Sequence, residues 1–190
     1  VALSKLFFGA LDSVNRELLW EVLKGMGVHG QMLVALQSMY ASVRMRVRVD
    51  GVLGEPFDAE TGVKQGDPLS PLLFGVFIDR FEEFLARACP SVGAELADGV
   101  PLQLLLYADD LALMAHEVEH LQGMLDELHR FAQAYHLTVN IKKSVAVPFN
   151  RRGVKLHVTY AGGELPVQKE FTYLGLRFCT TVTQGHDTGQ

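Results

Sequence analysis

The sequence predicts an α+β fold built on an antiparallel sheet with helices packed on one face. Three observations carry that expectation. Two apolar runs, Leu102 to Leu106 and Leu111 to Ala115, flank the turn Tyr107-Ala108-Asp109-Asp110, a β-hairpin pattern. Several longer segments repeat their apolar residues at helical spacing. Helices and hairpins then alternate along the chain, without the regular strand–helix–strand order of a parallel sheet.

In chain order, Ser13 to Gly27 reads as a helix. Leu18, Leu19, Val22, Leu23 and Met26 form one apolar face, Ser13 is the expected N-cap, and Gly25 and Gly27 close it. Gln31 to Ser42 reads as a second helix. Val43 to Asp50 reads as a strand, Asp50-Gly51 as a turn, and Val52 to Glu60 as the returning strand. Ser70 to Cys89 is a long helix whose start tolerates Pro68 and Pro71. Glu117 to Tyr135 is another, and His136 to Val147 returns as a strand. Short strands are expected at Lys155 to Tyr160, Glu164 to Val167 and Phe171 to Phe178.

The chain has 190 residues, a length suited to one domain, and its 48% hydrophobic content supports a sizeable core. It has no apolar run near the roughly 20 residues that cross a bilayer, and no secretory signal pattern. An intracellular protein with no membrane partner is the expectation. The two cysteines, Cys89 and Cys179, show no metal spacing and read as idle thiols in a reducing compartment. A net charge of −5 argues against strong autonomous nucleic-acid binding. Its distribution points the other way. Arg44, Arg46 and Arg48 alternate with valines and Met45, so a strand there puts a basic stripe on one face and a core-facing row on the other. A second basic run comprises Lys142, Lys143, Arg151, Arg152 and Lys155.

The chemistry centres on the hairpin. Adjacent aspartates in an apolar setting repel each other and resist desolvation unless a cation neutralises them. A hard divalent ion such as Mg²⁺ suits carboxylate oxygens. A solvated Asp-Asp turn is the plain alternative, since aspartate is common in turns.

A second segment narrows the choice. Gly62-Val63-Lys64-Gln65-Gly66-Asp67-Pro68-Leu69-Ser70-Pro71-Leu72-Leu73-Phe74 resembles the Gln-Gly signature of reverse transcriptases, and it precedes the Tyr-Ala-Asp-Asp turn in the family's order. The chain resembles the reverse transcriptase palm of non-LTR (LINE-like) retrotransposons over about residues 3 to 178. Asn140-Ile141-Lys142-Lys143-Ser144 is similar to the family's segment after the catalytic hairpin. Phe171-Thr172-Tyr173-Leu174-Gly175 is similar to its primer grip.

The resemblance implies an RNA-directed DNA polymerase palm at residues 1–178, a C-terminal tail at 179–190, and fingers and thumb largely absent. It implies Asp109 and Asp110 as catalytic metal ligands for Mg²⁺. It implies nucleotide contacts at Gln65, Gly66, Lys143 and Leu11, and primer contacts at Tyr107, Tyr173, Leu174 and Gly175. Arg44, Arg46 and Arg48 are the candidates for nucleic-acid binding. RNA template, DNA primer and deoxynucleoside triphosphates are the family's partners, with fingers, thumb or endonuclease domains on a longer chain.

Three positions depart from the pattern at the site of the chemistry. The family's first signature has the form Asp-x-x-Lys-Ala-Phe-Asp-x-Val. Here Leu6-Phe7-Phe8-Gly9-Ala10-Leu11-Asp12-Ser13-Val14 stands in its place, aligned by Ala10, Asp12, Val14 and the following Asn15-Arg16-Glu17-Leu18-Leu19-Trp20. Leu6 occupies the metal-binding position, Gly9 the lysine position and Leu11 the aromatic one. Leucine offers no oxygen, and Asp12 lies six residues on, about 20 Å along an extended strand. The expectation is a palm with impaired nucleotidyl transfer. Two other readings stand beside it: a non-catalytic nucleic-acid-binding or scaffold protein, and an active nucleotidyltransferase with an altered metal site.

Overall fold

The structure, a computed structural model, describes residues 2–7, 11–59, 61–64, 66–90, 92–95, 101–149 and 156–179. Among them are four α-helices: α1 (Arg16–Gly25), α2 (Gly30–Tyr40), α3 (Ser70–Ala88) and α4 (Val118–Ala134). The chain divides into two compact units, one of Val1–Phe8, Phe81–Phe131 and Val139–Gln190, the other of Gly9–Arg80 and Ala132–Thr138. No helix among the described residues is long and apolar enough to cross a membrane.

The first unit holds a four-stranded antiparallel sheet in the order Val145–Pro148, Ala2–Phe7, Asp110–Ala115, Leu104–Tyr107. The strand Asp110–Ala115 reads as an unbroken apolar run after its first residue because both its faces are covered. Leu111, Ala112, Leu113, Met114 and Ala115 are all buried. Ala112 and Met114 pack with Ala94, Val147, Phe171 and Tyr173. In α4, Leu121, Met124, Leu125, Leu128 and Phe131 recur at helical spacing and are fully buried. Phe131 packs against α3, its ring 5.1 Å from that of Phe81 and 5.8 Å from that of Phe84. Each such buried side chain contributes roughly 1.5–3 kcal/mol of transfer free energy.

The second unit begins with a 3-10 turn, Leu11–Ser13, and α1. Helix α1 starts later than the sequence suggests. Asn15, not Ser13, is its N-cap, and the Asn15 side chain accepts a 3.0 Å bond from the Leu18 N–H. Ser13 is of equal capping type, but it closes the 3-10 turn.

Long strands expected from the sequence are broken in three segments. The segment 43–59 is a hairpin of two short ladders, Arg44↔Asp58 with Met45↔Phe57, and Arg48↔Leu53 with Val49↔Val52. Arg46 and Val47 interrupt it. Its apolar residues do not face a core: Met45, Val47, Val49, Val52, Leu53 and Phe57 are all exposed. The basic stripe therefore lacks the buried row expected beneath it. Likewise 136–147 is not one strand. A 3-10 turn, Ile141–Lys143, capped by Asn140, precedes the strand Val145–Pro148. Phe171–Phe178 is a hairpin, Glu170–Tyr173 paired with Leu176–Cys179, turning at Leu174-Gly175. Cys89 and Cys179 are both free thiols. Arg151, Arg152 and Lys155 lie outside the described residues.

Candidate active site

The Asp-Asp hairpin closes on the pair Tyr107↔Asp110, leaving Ala108 and Asp109 as a two-residue turn. Three other hairpins among the described residues turn in two residues, at Asp50-Gly51, Ala161-Gly162 and Leu174-Gly175. Each of those pairs has positive φ at both positions and glycine at the second. At Ala108-Asp109 only Ala108 is left-handed, with φ 51°. An L-residue there costs about 1–2 kcal/mol, and the turn carries a carboxylate where its counterparts carry glycine. Strain of this kind clusters at functional sites.

The turn presents its groups unequally. Tyr107, Ala108 and Asp109 are exposed, and Asp110 is half-buried. Side chains alternate along a strand, so Asp110 shares a face with Ala112 and Met114. Tyr173 packs on that same face. Burial, and after it the charge of Asp110, push the Tyr173 phenol above the usual tyrosine range. The structure thus brings Tyr173 and Asp110 together within one unit, while Leu174 and Gly175 form an exposed turn beyond them.

Leu6 lies on the strand adjoining the hairpin. Its backbone partner is Leu111, and that of the next residue, Phe7, is Asp110. Asp12 is not on that strand; it sits in the 3-10 turn Leu11–Ser13, in the other unit, and is exposed. Among the described residues no group of three or more His, Cys, Asp or Glu side chains is placed to hold a metal. Two adjacent carboxylates on one turn are an incomplete donor set for a pair of divalent ions, each of which needs several oxygens. Lys143 ends the 3-10 turn after α4, exposed, with its N–H held by the Asn140 Oδ1 at 3.2 Å. That bond explains the Asn-x-x-Lys spacing: asparagine caps the turn that carries the lysine.

In the second unit, the segment leading to Gly66 is stitched to the end of the first signature. The Gly62 N–H donates to the Val14 O at 2.8 Å, and the Val63 N–H to the Leu11 O at 2.7 Å. Gly66 has φ 86°, a backbone that glycine favours. Gln65 lies outside the described residues. A cleft of about 970 Å³ in this unit is lined by Asp12, Arg16, Arg44, Phe57, Asp58 and Lys64, among others. Arg44 pairs with Asp58 at 3.7 Å, and Arg44, Arg46 and Arg48 are all exposed. Arg16, Tyr40 and Ser70 were not legible as site residues. Their partners are up to 46 residues away in sequence, beyond any local pattern.

A family model described as reverse transcriptase (RNA-dependent DNA polymerase) matches residues 7–178. The chain is 31% identical over 183 residues to the Pol polyprotein of the type-2 retrotransposable element R2DM of Drosophila melanogaster, covering 90% of this chain and 17% of that protein. It is 28% identical over 155 residues to the RNA-directed DNA polymerase from the mobile element jockey of Drosophila funebris, covering 77% of this chain and 16% of that protein. Among solved structures it is similar to apo telomerase from Candida tropicalis, with a TM-score of 0.63 and 16% identity over 94% of this chain and 31% of that chain. The last likeness is one of fold. The chain spans less than a third of each of these proteins.

Proposed function

The chain belongs to the reverse transcriptase (RNA-dependent DNA polymerase) family, in the form carried by non-LTR retrotransposons, and on that premise we propose that residues 1–178 form a palm whose metal centre is dismantled. RNA-directed DNA synthesis is the family's reaction. In this reading Asp109 and Asp110 are the remaining metal-facing carboxylates. Leu6 stands where a third is required, and Lys143, Gly66, Gln65 and Leu11 border the nucleotide. Tyr107 and the Tyr173-Leu174-Gly175 turn border the primer. Arg44, Arg46 and Arg48 meet the backbone of the RNA template or DNA primer.

The observation that carries the reading is the register of Leu6, paired with Leu111 beside the Asp110 strand. The donor set does not fit Mg²⁺ in the family's two-ion arrangement, because leucine supplies no oxygen and the third carboxylate has no substitute on that strand. A loss of several kcal/mol in transition-state stabilisation follows, each ~1.4 kcal/mol being tenfold in rate. Binding of template and primer does not depend on the missing ligand and is retained.

Primer extension on an RNA template tests this, using the longest natural chain that contains these residues. The unaltered chain gives no Mg²⁺-dependent extension, and Leu6→Asp raises the product above background. Extension by the unaltered chain that disappears on Asp109→Ala overturns the proposal.

A further inference from the structure

One side chain outside the sequence signatures holds three carbonyls at once. The Arg16 Nε donates to the Gly62 O at 2.8 Å, one terminal nitrogen to the Thr61 O at 3.1 Å, and the other to the Tyr40 O at 3.2 Å. Its guanidinium also lies over the Tyr40 ring, 5.4 Å from the centroid. Partial burial lowers its pKa from the usual arginine range. Only a planar fork with fixed donors reaches three carbonyls this way.

The same ring carries a second cation. The Lys64 Nζ is 5.4 Å from its centroid. A ring contact leaves the ammonium's N–H donors able to meet an acceptor. The main chain of Lys64 is held from the far side: the Ser70 Oγ donates to the Lys64 O at 2.5 Å. Ser70 is fully buried. Since its proton goes to Lys64, the Tyr40 hydroxyl is the donor in the 3.5 Å contact between Tyr40 and Ser70. The Lys64 O also accepts from the Asp67 N–H at 3.2 Å. Arg16, Tyr40 and Ser70 therefore hold the described residues Thr61 to Lys64 from both ends, and Lys64, with Arg16, lines the cleft of this unit.

We infer that Arg16 is a positioning residue: with Tyr40, it fixes the segment Thr61 to Lys64 so that the Lys64 ammonium is presented to a backbone phosphate of bound nucleic acid. The inference rests on the reading of the chain as a nucleic-acid-binding palm. It adds a contact, Lys64, and the residue that aims it. Arg16→Lys keeps the charge but loses the planar fork that spans the three carbonyls.

Two measurements on Arg16→Lys, with Ser70→Ala as the milder variant, decide the matter. Amide exchange at Gly62 and Val63 rises about tenfold or more, a local opening, while exchange at Leu113 and Met114 in the sheet is unchanged. Affinity for an RNA–DNA template–primer falls several-fold, and Arg16→Lys adds nothing further once Lys64→Ala is present. Equal acceleration in loop and sheet, or no acceleration at Gly62, overturns the anchoring role. Additive losses of affinity overturn the link to Lys64. An unaltered chain that binds no template–primer contradicts the nucleic-acid reading itself, and the exchange rates then still decide whether Arg16 anchors the loop.

Discussion

Gly62 is the position where a single methyl group does the most damage. Its φ is 81°, and a Cβ built there meets the Asp12 Cα and carbonyl O at 2.7 Å and the carbonyl C at 2.8 Å. Ordinary contact begins near 3.4 Å, and the obstructing atoms are main chain, which cannot rotate away. The left-handed backbone alone costs alanine about 1–2 kcal/mol. Relieving the clash displaces the segment that donates from Gly62 to Val14 and from Val63 to Leu11. Weakening those bonds adds about 1 kcal/mol each. Gly62→Ala is thus expected to destabilise the second unit by about 3 kcal/mol or more. Gly27→Ala is the control: φ is 88°, yet nothing lies within 4 Å of its Cβ position, so it costs only the backbone term, about 1–2 kcal/mol. Urea unfolding followed by the fluorescence of Trp20, the sole tryptophan, reports both. Trp20 packs in this unit, 5.8 Å from the Tyr40 ring. If Gly62→Ala unfolds within about 0.5 kcal/mol of Gly27→Ala, the close approach of the two segments is refuted.

Replacing Arg44, Arg46 and Arg48 together by alanine should weaken template–primer binding and flatten its salt dependence, by up to about 0.9 units of slope per lost duplex phosphate contact; an unchanged slope removes the hairpin from the interface. Burial pushes the Tyr160 phenol up to about 12. Since the folded value is raised, the stability it contributes is complete below the unfolded pKa near 10 and is lost as pH rises towards 12. Urea midpoints should therefore fall over that window, and less steeply in Tyr160→Phe.

The sequence was most legible where periodic patterns are long. Helices α3 and α4 lie within a residue or so of their expected limits, because their apolar stripes leave no competing register. The hairpin around Asp109 was equally plain, framed by two apolar runs. Helix α1 was misplaced at its start because Ser13 and Asn15 are both capping residues, and the sequence does not say which N–H each one meets. The 43–59 hairpin misled for a different reason. Alternating valines and arginines predict a buried face only where something covers it, and Val47, Val49 and Val52 are exposed. At Leu174-Gly175 the signal was present, the same residue–glycine pair seen at Asp50-Gly51, but the flanking run Phe171 to Phe178 was read as one strand. Arg16 carries no local signal of its bonding. Its three carbonyl partners lie 24 to 46 residues away, a distance only the folded chain can close.

One residue, Leu6, decides whether the hairpin can hold a metal centre. Calorimetric titration of the folded chain with Mn²⁺ or Mg²⁺ measures this without any need for turnover. The unaltered chain should bind weakly. Leu6→Asp should tighten binding by about tenfold or more, ~1.4 kcal/mol, and adding Asp109→Ala should abolish that gain. Tight binding of two ions by the unaltered chain, unaffected by Leu6→Asp, would contradict the claim that the third carboxylate is the missing part.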